Sequence, residues 1–118
     1  LADRISYYPV EFETSQFPTG FDIAIKCDVC FYTGDLFRKI HNSLKHGGRL
    51  VFAEHISPDE YSTPVTRVEW GFLDTLHDPD SSVPTLAQVR DMLTQAGFSF
   101  QSDHQIIRRG MYFFEVWK

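Results

Sequence analysis

The sequence holds no apolar run approaching the ~18–20 residues that a membrane helix needs, and its first residues are not a basic segment followed by an apolar one. Neither a span nor a secretory signal is expected, so a cytoplasmic location is. Basic clusters are also missing: beyond Arg108-Arg109 there is none, and the formal charge is −5. An acidic domain without a basic stripe lacks what neutralises phosphates, which argues against nucleic acid as a partner. Cysteine is scarce. Cys27 and Cys30 form a C-D-V-C run, but no second cysteine pair completes a zinc site. That spacing also suits a redox turn; within so apolar a run, small buried side chains are the simpler expectation. No H-x-H or H-x-x-x-H spacing suggests a metal. Glycine occurs as a pair only at 47–48, and nowhere as G-x-G.

What is present is apolar and aromatic. Of 118 residues, 42% are hydrophobic and 15% aromatic, with eleven Phe, which predicts a packed core rather than disorder. The length allows one domain, small for a complete nucleotide-binding α/β enzyme.

Residues 5–13 (I-S-Y-Y-P-V-E-F-E) are β-rich, and Pro9 suits an edge strand. A turn at 17–20 precedes F-D-I-A-I-K-C-D-V at 21–29, whose apolar start predicts a strand covered on both faces. Thr33-Gly34-Asp35 opens a helix with Leu36, Phe37, Ile40 and Leu44 on one side, stopped by Gly47-Gly48. Residues 49–56 form the next strand, and strand–helix–strand implies a parallel crossover. Thr63-Pro64 starts a second helix carrying Val65, Val68, Phe72 and Leu76. Thr85 with Gln88 is a capping-box signature for a third, with Val89, Met92, Leu93 and Ala96 inward and Gly97 at its end. Residues 98–107 and 111–117 read as an antiparallel hairpin.

These elements, with these residues, resemble the carboxyl-terminal part of a class I S-adenosylmethionine-dependent methyltransferase. F-D-I-A-I-K-C-D-V at 21–29 resembles the family's fourth strand. The run at 36–54, L-F-R-K-I-H-N-S-L-K-H-G-G-R-L-V-F-A-E, resembles its helix, Lys-x-Gly-Gly and fifth strand. T-L-A-Q-V-R-D-M-L-T-Q-A-G-F at 85–98 and M-Y-F-F-E-V-W at 111–117 resemble the helix before the sixth strand and the antiparallel seventh. V-F-A-E-H-I-S-P at 51–58 and L-D-T-L-H-D at 73–78 point to small-molecule O-methyltransferases. The resemblance implies a partial Rossmann-like α/β sheet, mostly parallel with a carboxyl-terminal antiparallel hairpin. It also implies one incomplete domain over 1–118 that lacks the Gly-rich turn on which the family holds its cofactor. S-adenosylmethionine is then the cofactor of an intact parent, and this chain alone is expected to bind none.

Candidate site residues follow from the resemblance and from strand geometry. Glu11 falls where the family has an acidic residue near the adenine, and Phe12 could flank that ring; the alternative is a plain edge-strand carboxylate beside a core Phe. Lys26, Cys27 and Asp28 lie toward the carboxyl end of a strand, where open α/β sheets bind ligands. Lys26 and Asp28 share a face and either pair with each other or meet the cofactor. Glu54 is the leading catalytic candidate, its carboxylate expected at the ligand edge. In the family a Glu there helps orient a histidine base, but the position aligned with that base is Phe31, which accepts no proton. His55 and His77 are substitutes near the expected acceptor pocket, with exposed or structural histidine as the alternative. His41, His46 and His104 read as surface residues. Trp70, Phe72, Leu73 and Leu76 line an acceptor pocket or form core or dimer interface.

Two functions remain open: a methyltransferase part acting on a small-molecule acceptor at oxygen or nitrogen, or a non-catalytic, methyltransferase-derived interaction module. An unrelated α/β binding domain is a third. The missing central strands leave an unpaired edge along 21–29. It predicts either direct antiparallel pairing with 5–13 or strand exchange between two copies, and hence a homo-oligomer, most simply a dimer.

Overall fold

The computed structural model describes residues 4–29, 31–56, 76, 83–101, 106–108 and 111–118. Strands β1 (Phe21–Cys27), β2 (Leu44–His55), β3 (Ile106–Arg108) and β4 (Met111–Trp117) form one sheet in the order β1-β2-β4-β3. Helix α1 (Gly34–Ser43) connects β1 to β2, and α2 (Leu86–Gln95) lies between β2 and β3 in the chain. β1 and β2 are parallel, with Ile23 opposite Arg49 and Cys27 opposite Ala53. β4 runs antiparallel to both β2 and β3. The α/β class and the expected strand–helix–strand unit are present. The balance of pairings differs from a mostly parallel sheet: among the described strands one pair is parallel and two are antiparallel. A single crossover supplies only a single parallel pair.

The helix signals in the sequence act as local physics requires. Thr33 caps α1 by accepting from the Leu36 N–H (3.1 Å). Thr85 and Gln88 cap α2 reciprocally, each side chain meeting the other's backbone N–H. Helix α1 ends one turn before the glycine pair, because Leu44 is already extended (φ −81°, ψ 148°) and pairs with Phe21. Residues 45–48 are then bulged out between the Phe21 and Ile23 pairings. Gly47 takes φ +74°, and a Cβ at Gly48 would lie 2.9 Å from the Lys45 carbonyl oxygen. The Gly-Gly pair thus shapes the entry to β2 rather than stopping the helix.

One face of the sheet carries the core. Period-2 alternation turns Leu50, Phe52 and Glu54 of β2 and Tyr112, Phe114 and Val116 of β4 inward. They meet Leu36, Phe37 and Ile40 of α1 and Val89 and Leu93 of α2. Phe52 stacks on Phe114 at 4.7 Å between centroids. Each of the large apolar side chains among them contributes roughly 1.5–3 kcal/mol by leaving water.

The expectation for 5–13 fails: these residues form no strand, and Ile5, Tyr7 and Tyr8 are exposed. β-propensity expresses packing against a neighbour, and no described strand pairs with this segment. It reaches a turn at 12–14 instead, where the Lys39 ammonium donates to the carbonyls of Phe12 (2.9 Å) and Glu13 (2.6 Å). Direct pairing of 5–13 with β1 is therefore absent. β1 is also not covered on both faces, since Phe21, Ile23 and Ile25 are exposed. Of the expected second helix, residues 63–75, with Trp70, Phe72 and Leu73, lie outside the described residues; Leu76 is exposed rather than inward. His104 also lies outside them. Of the expected strand at 98–107, Ser99 bridges Trp117 and Ile106–Arg108 pairs with β4.

Candidate functional site

Because β1 and β2 are parallel, their carboxyl ends share one edge of the sheet, bringing Lys26, Cys27 and Asp28 beside Glu54 and His55. At that edge a polar cluster is buried. The Glu54 side chain is 0% exposed, and its Oε1 accepts from Lys26 Nζ at 2.5 Å and from the Val29 N–H at 3.0 Å. The Tyr32 hydroxyl lies 3.1 Å from Glu54 Oε2 and 2.9 Å from the His55 carbonyl oxygen. Lys26, 5% exposed, also donates to the Val29 carbonyl. Its ammonium stands 4.2 Å from the centroid of Tyr32 and 5.3 Å from that of Phe52. A buried ammonium is tolerable only with a counter-charge and satisfied donors, and this one has both.

The described residues on either side of position 30 are held by backbone bonds. Asp28 adopts φ +52°, a left-handed conformation that aspartate tolerates better than most residues. Its N–H donates to the Ala53 carbonyl at 2.9 Å, and the Phe31 N–H returns to the Val29 carbonyl at 2.6 Å. Beyond the loop, Phe12 packs on Phe31 (5.8 Å) and edge-on to Phe17 (6.3 Å). A cavity of about 360 Å³ runs between this segment, β1 and α1, lined by Tyr8, Val10, Phe12, Phe17, Ile25 and Lys26 among others. Among the described residues, no three His, Cys, Asp or Glu side chains gather as a metal site, and no helix is long and apolar enough to cross a membrane.

No protein-family model matches the sequence. An L-tyrosine C(3)-methyltransferase of Streptomyces lavendulae is 30% identical over 112 residues, covering 90% of this chain and 31% of that protein. The solved mitomycin 7-O-methyltransferase MmcR superposes on 99% of this chain and 35% of its own with a TM-score of 0.80 at 15% identity. Human N-acetylserotonin methyltransferase in complex with SAM covers 98% of this chain and 34% of its own, with a TM-score of 0.72 at 17% identity. The chain has the class I methyltransferase fold. It corresponds to the carboxyl-terminal part of that fold and spans about a third of the length of these relatives.

Within the methyltransferase fold, the site residues expected from sequence separate into groups. Lys26 and Glu54 come together, but Lys26 faces inward to Glu54 while Asp28 is exposed. The left-handed turn at Asp28 breaks the strand alternation that would have kept the two on one face. The Glu54 carboxylate does not emerge at the ligand edge: alternation along β2 turns it to the helix side, where Lys26, Val29 and Tyr32 enclose it. Cys27 is exposed rather than a small buried residue, since it shares the uncovered face of β1 with Ile23 and Ile25. Cys30 and His77 lie outside the described residues. His55 is half-buried and next to the cluster. Glu11 is exposed, its N–H donating to Ser15 Oγ at 2.9 Å, and Phe12 stands with it at the turn rather than at a strand end. Phe31 packs against the core and Phe12. His41 is less superficial than expected: its ring meets Phe98 edge-on at 5.1 Å, and burial, with Lys118 nearby, lowers its pKa. His46 is exposed, as expected.

Tyr32 is the member of the cluster that sequence reasoning missed. Its signal was its place at the strand–helix turn, opposite a strand ending in Glu. Two features of this edge bear on S-adenosylmethionine. Phe12 and Phe31 offer an aromatic wall, but the N–H groups of Asp28, Val29 and Phe31 are already engaged within the chain.

Proposed function

We propose that this chain is part of a longer S-adenosylmethionine-dependent methyltransferase that acts on a small-molecule acceptor, and that it neither binds the cofactor nor transfers methyl on its own. The support is the 30% identity to an L-tyrosine C(3)-methyltransferase over 112 residues, which extends along 90% of the chain. The cofactor, where held, supplies an electrophilic sulfonium methyl. Displacement at that methyl is governed by alignment of the two reactants, so a rigid site edge matters more than a strong base. The single domain over 1–118 then contributes the far side of the sheet. Glu11, Phe12, Cys27 and Asp28 are proposed to face the cofactor side, with Lys26 behind them. Among the catalytic candidates, His55 and His77 are proposed near the acceptor, and Glu54 as the group that orders this edge. The acceptor atom is proposed to be oxygen or nitrogen, or, after the relative's name, a carbon of a phenolic ring.

Two measurements test this. Calorimetric titration of the chain with S-adenosylmethionine is expected to give no heat of binding, and micromolar binding would overturn the cofactor-deficient reading. The intact parent, incubated with S-adenosylmethionine and tyrosine or other phenols, is expected to yield a methylated product detectable by mass spectrometry. No methylation of any small acceptor would sink the assignment.

A second reading has its own observation. Phe21, Ile23 and Ile25 expose an apolar face on a strand at the sheet's edge. Such an edge pairs readily with another chain, which favours a cytoplasmic interaction module that forms a homo-oligomer, most simply a dimer. Sedimentation at increasing concentration distinguishes the two: a monomer throughout removes this second function.

A further inference from the structure

We infer that Lys26, Glu54 and Tyr32 form a clamp whose task is to hold Asp28, Val29, Phe31 and Tyr32 in one arrangement, which makes all three positioning residues and none a proton carrier. The functional side of this inference rests on the methyltransferase proposal; the clamp itself does not. Glu54 Oε1 takes two donors, from Lys26 and the Val29 N–H, and Oε2 faces the Tyr32 hydroxyl. The side chain has no solvent exposure. A carboxylate so enclosed cannot meet an acceptor's proton without first losing the partners that keep its charge tolerable.

What the clamp touches is the loop. Lys26 donates to the carbonyl of Val29, Glu54 accepts from the N–H of that same residue, and Tyr32 closes the far end against the His55 carbonyl. Both backbone groups of Val29 are thus held by a pair of opposite charges 28 positions apart in the chain. Asp28 keeps its left-handed backbone immediately before this anchor, and Phe31 its packing on Phe12 between the two ends. The loop sits at the carboxyl end of the parallel pair, where ligands of open α/β sheets bind. A fixed wall there aligns reactants without donating or accepting a proton.

Amide hydrogen exchange on the 118-residue chain tests the clamp. The variants are Tyr32→Phe, Glu54→Gln and the double change Lys26→Met with Glu54→Leu, which removes both charges together and so avoids a lone buried ion. Exchange at residues 28–32 is expected to quicken roughly tenfold in the double variant, with α2 and β4 keeping their protection, because opening is local. A smaller quickening is expected for Tyr32→Phe. Unchanged protection over 28–32 would overturn the inference, as would loss spread evenly across α2 and β4, since the pair would then belong to the general core. In the intact parent, the double variant is expected to lower kcat while leaving the shape of the pH–rate profile unchanged. Loss of a limb of that profile would make Glu54 a proton carrier after all. A parent with no methyl transfer would sink the proposed function and leave the exchange result standing.

Discussion

Ile25 and Lys26 are neighbours on β1, yet the isoleucine is 72% exposed and the lysine 5%. Their surroundings are the reverse of what their chemistry prefers, and the sheet's two faces account for it. On the Lys26 side, helices α1 and α2 and the Phe52–Phe114 stack exclude water, and Glu54 supplies the charge that makes a buried ammonium tolerable. On the Ile25 side, β1 is an uncovered edge. A covered face is exacting about every partner, whereas an open face tolerates change and invites association. Residue type alone does not say which face a strand residue occupies.

The sharpest way to break the contrast is Glu54→Ala. With the Glu54 charge gone from beside the buried Lys26 ammonium, the loss is expected to be about 3–5 kcal/mol, read from the shift in urea midpoint. A cost below about 1 kcal/mol would mean that the ammonium escapes to water. Leu93→Ala, on the fully buried side of α2, is expected to cost about 2–5 kcal/mol in the same measurement. A smaller effect comes from pH. The pKa of His41 is lowered by burial from its usual 6.5, so the unfolded chain binds a proton first as pH falls. Stability on this account is undiminished above that value and declines as pH drops through and below it; His41→Gln should flatten the decline. Ile25→Lys should be the mildest, within about 0.5 kcal/mol. It should nevertheless reduce any self-association seen by sedimentation, and a large destabilisation would show that the face is covered.

Local signals were the legible ones. Thr33 and the Thr85/Gln88 pair announce their helices because a cap needs only residues three apart. The parallel β1–α1–β2 unit follows from an apolar strand, an amphipathic helix and a second apolar strand. Longer-range facts were not legible. Residues 5–13 carry β-forming side chains but no described strand pairs with them, and composition does not reveal a missing neighbour. The Lys26–Glu54 pair was half visible, since each residue ends an apolar strand, but Asp28 offered a nearer carboxylate. The backbone reversal at Asp28 removes that option, and nothing in the letters C-D-V-C signals a positive φ.

That reversal carries one further consequence. The amide hydrogens of Asp28, Val29 and Phe31 all point back to oxygens of the chain itself, those of Ala53, Glu54 and Val29. These three N–H groups are therefore not available to a negatively charged guest. At those three positions a guest would meet side chains rather than backbone donors, the rings of Phe12 and Phe31 among them.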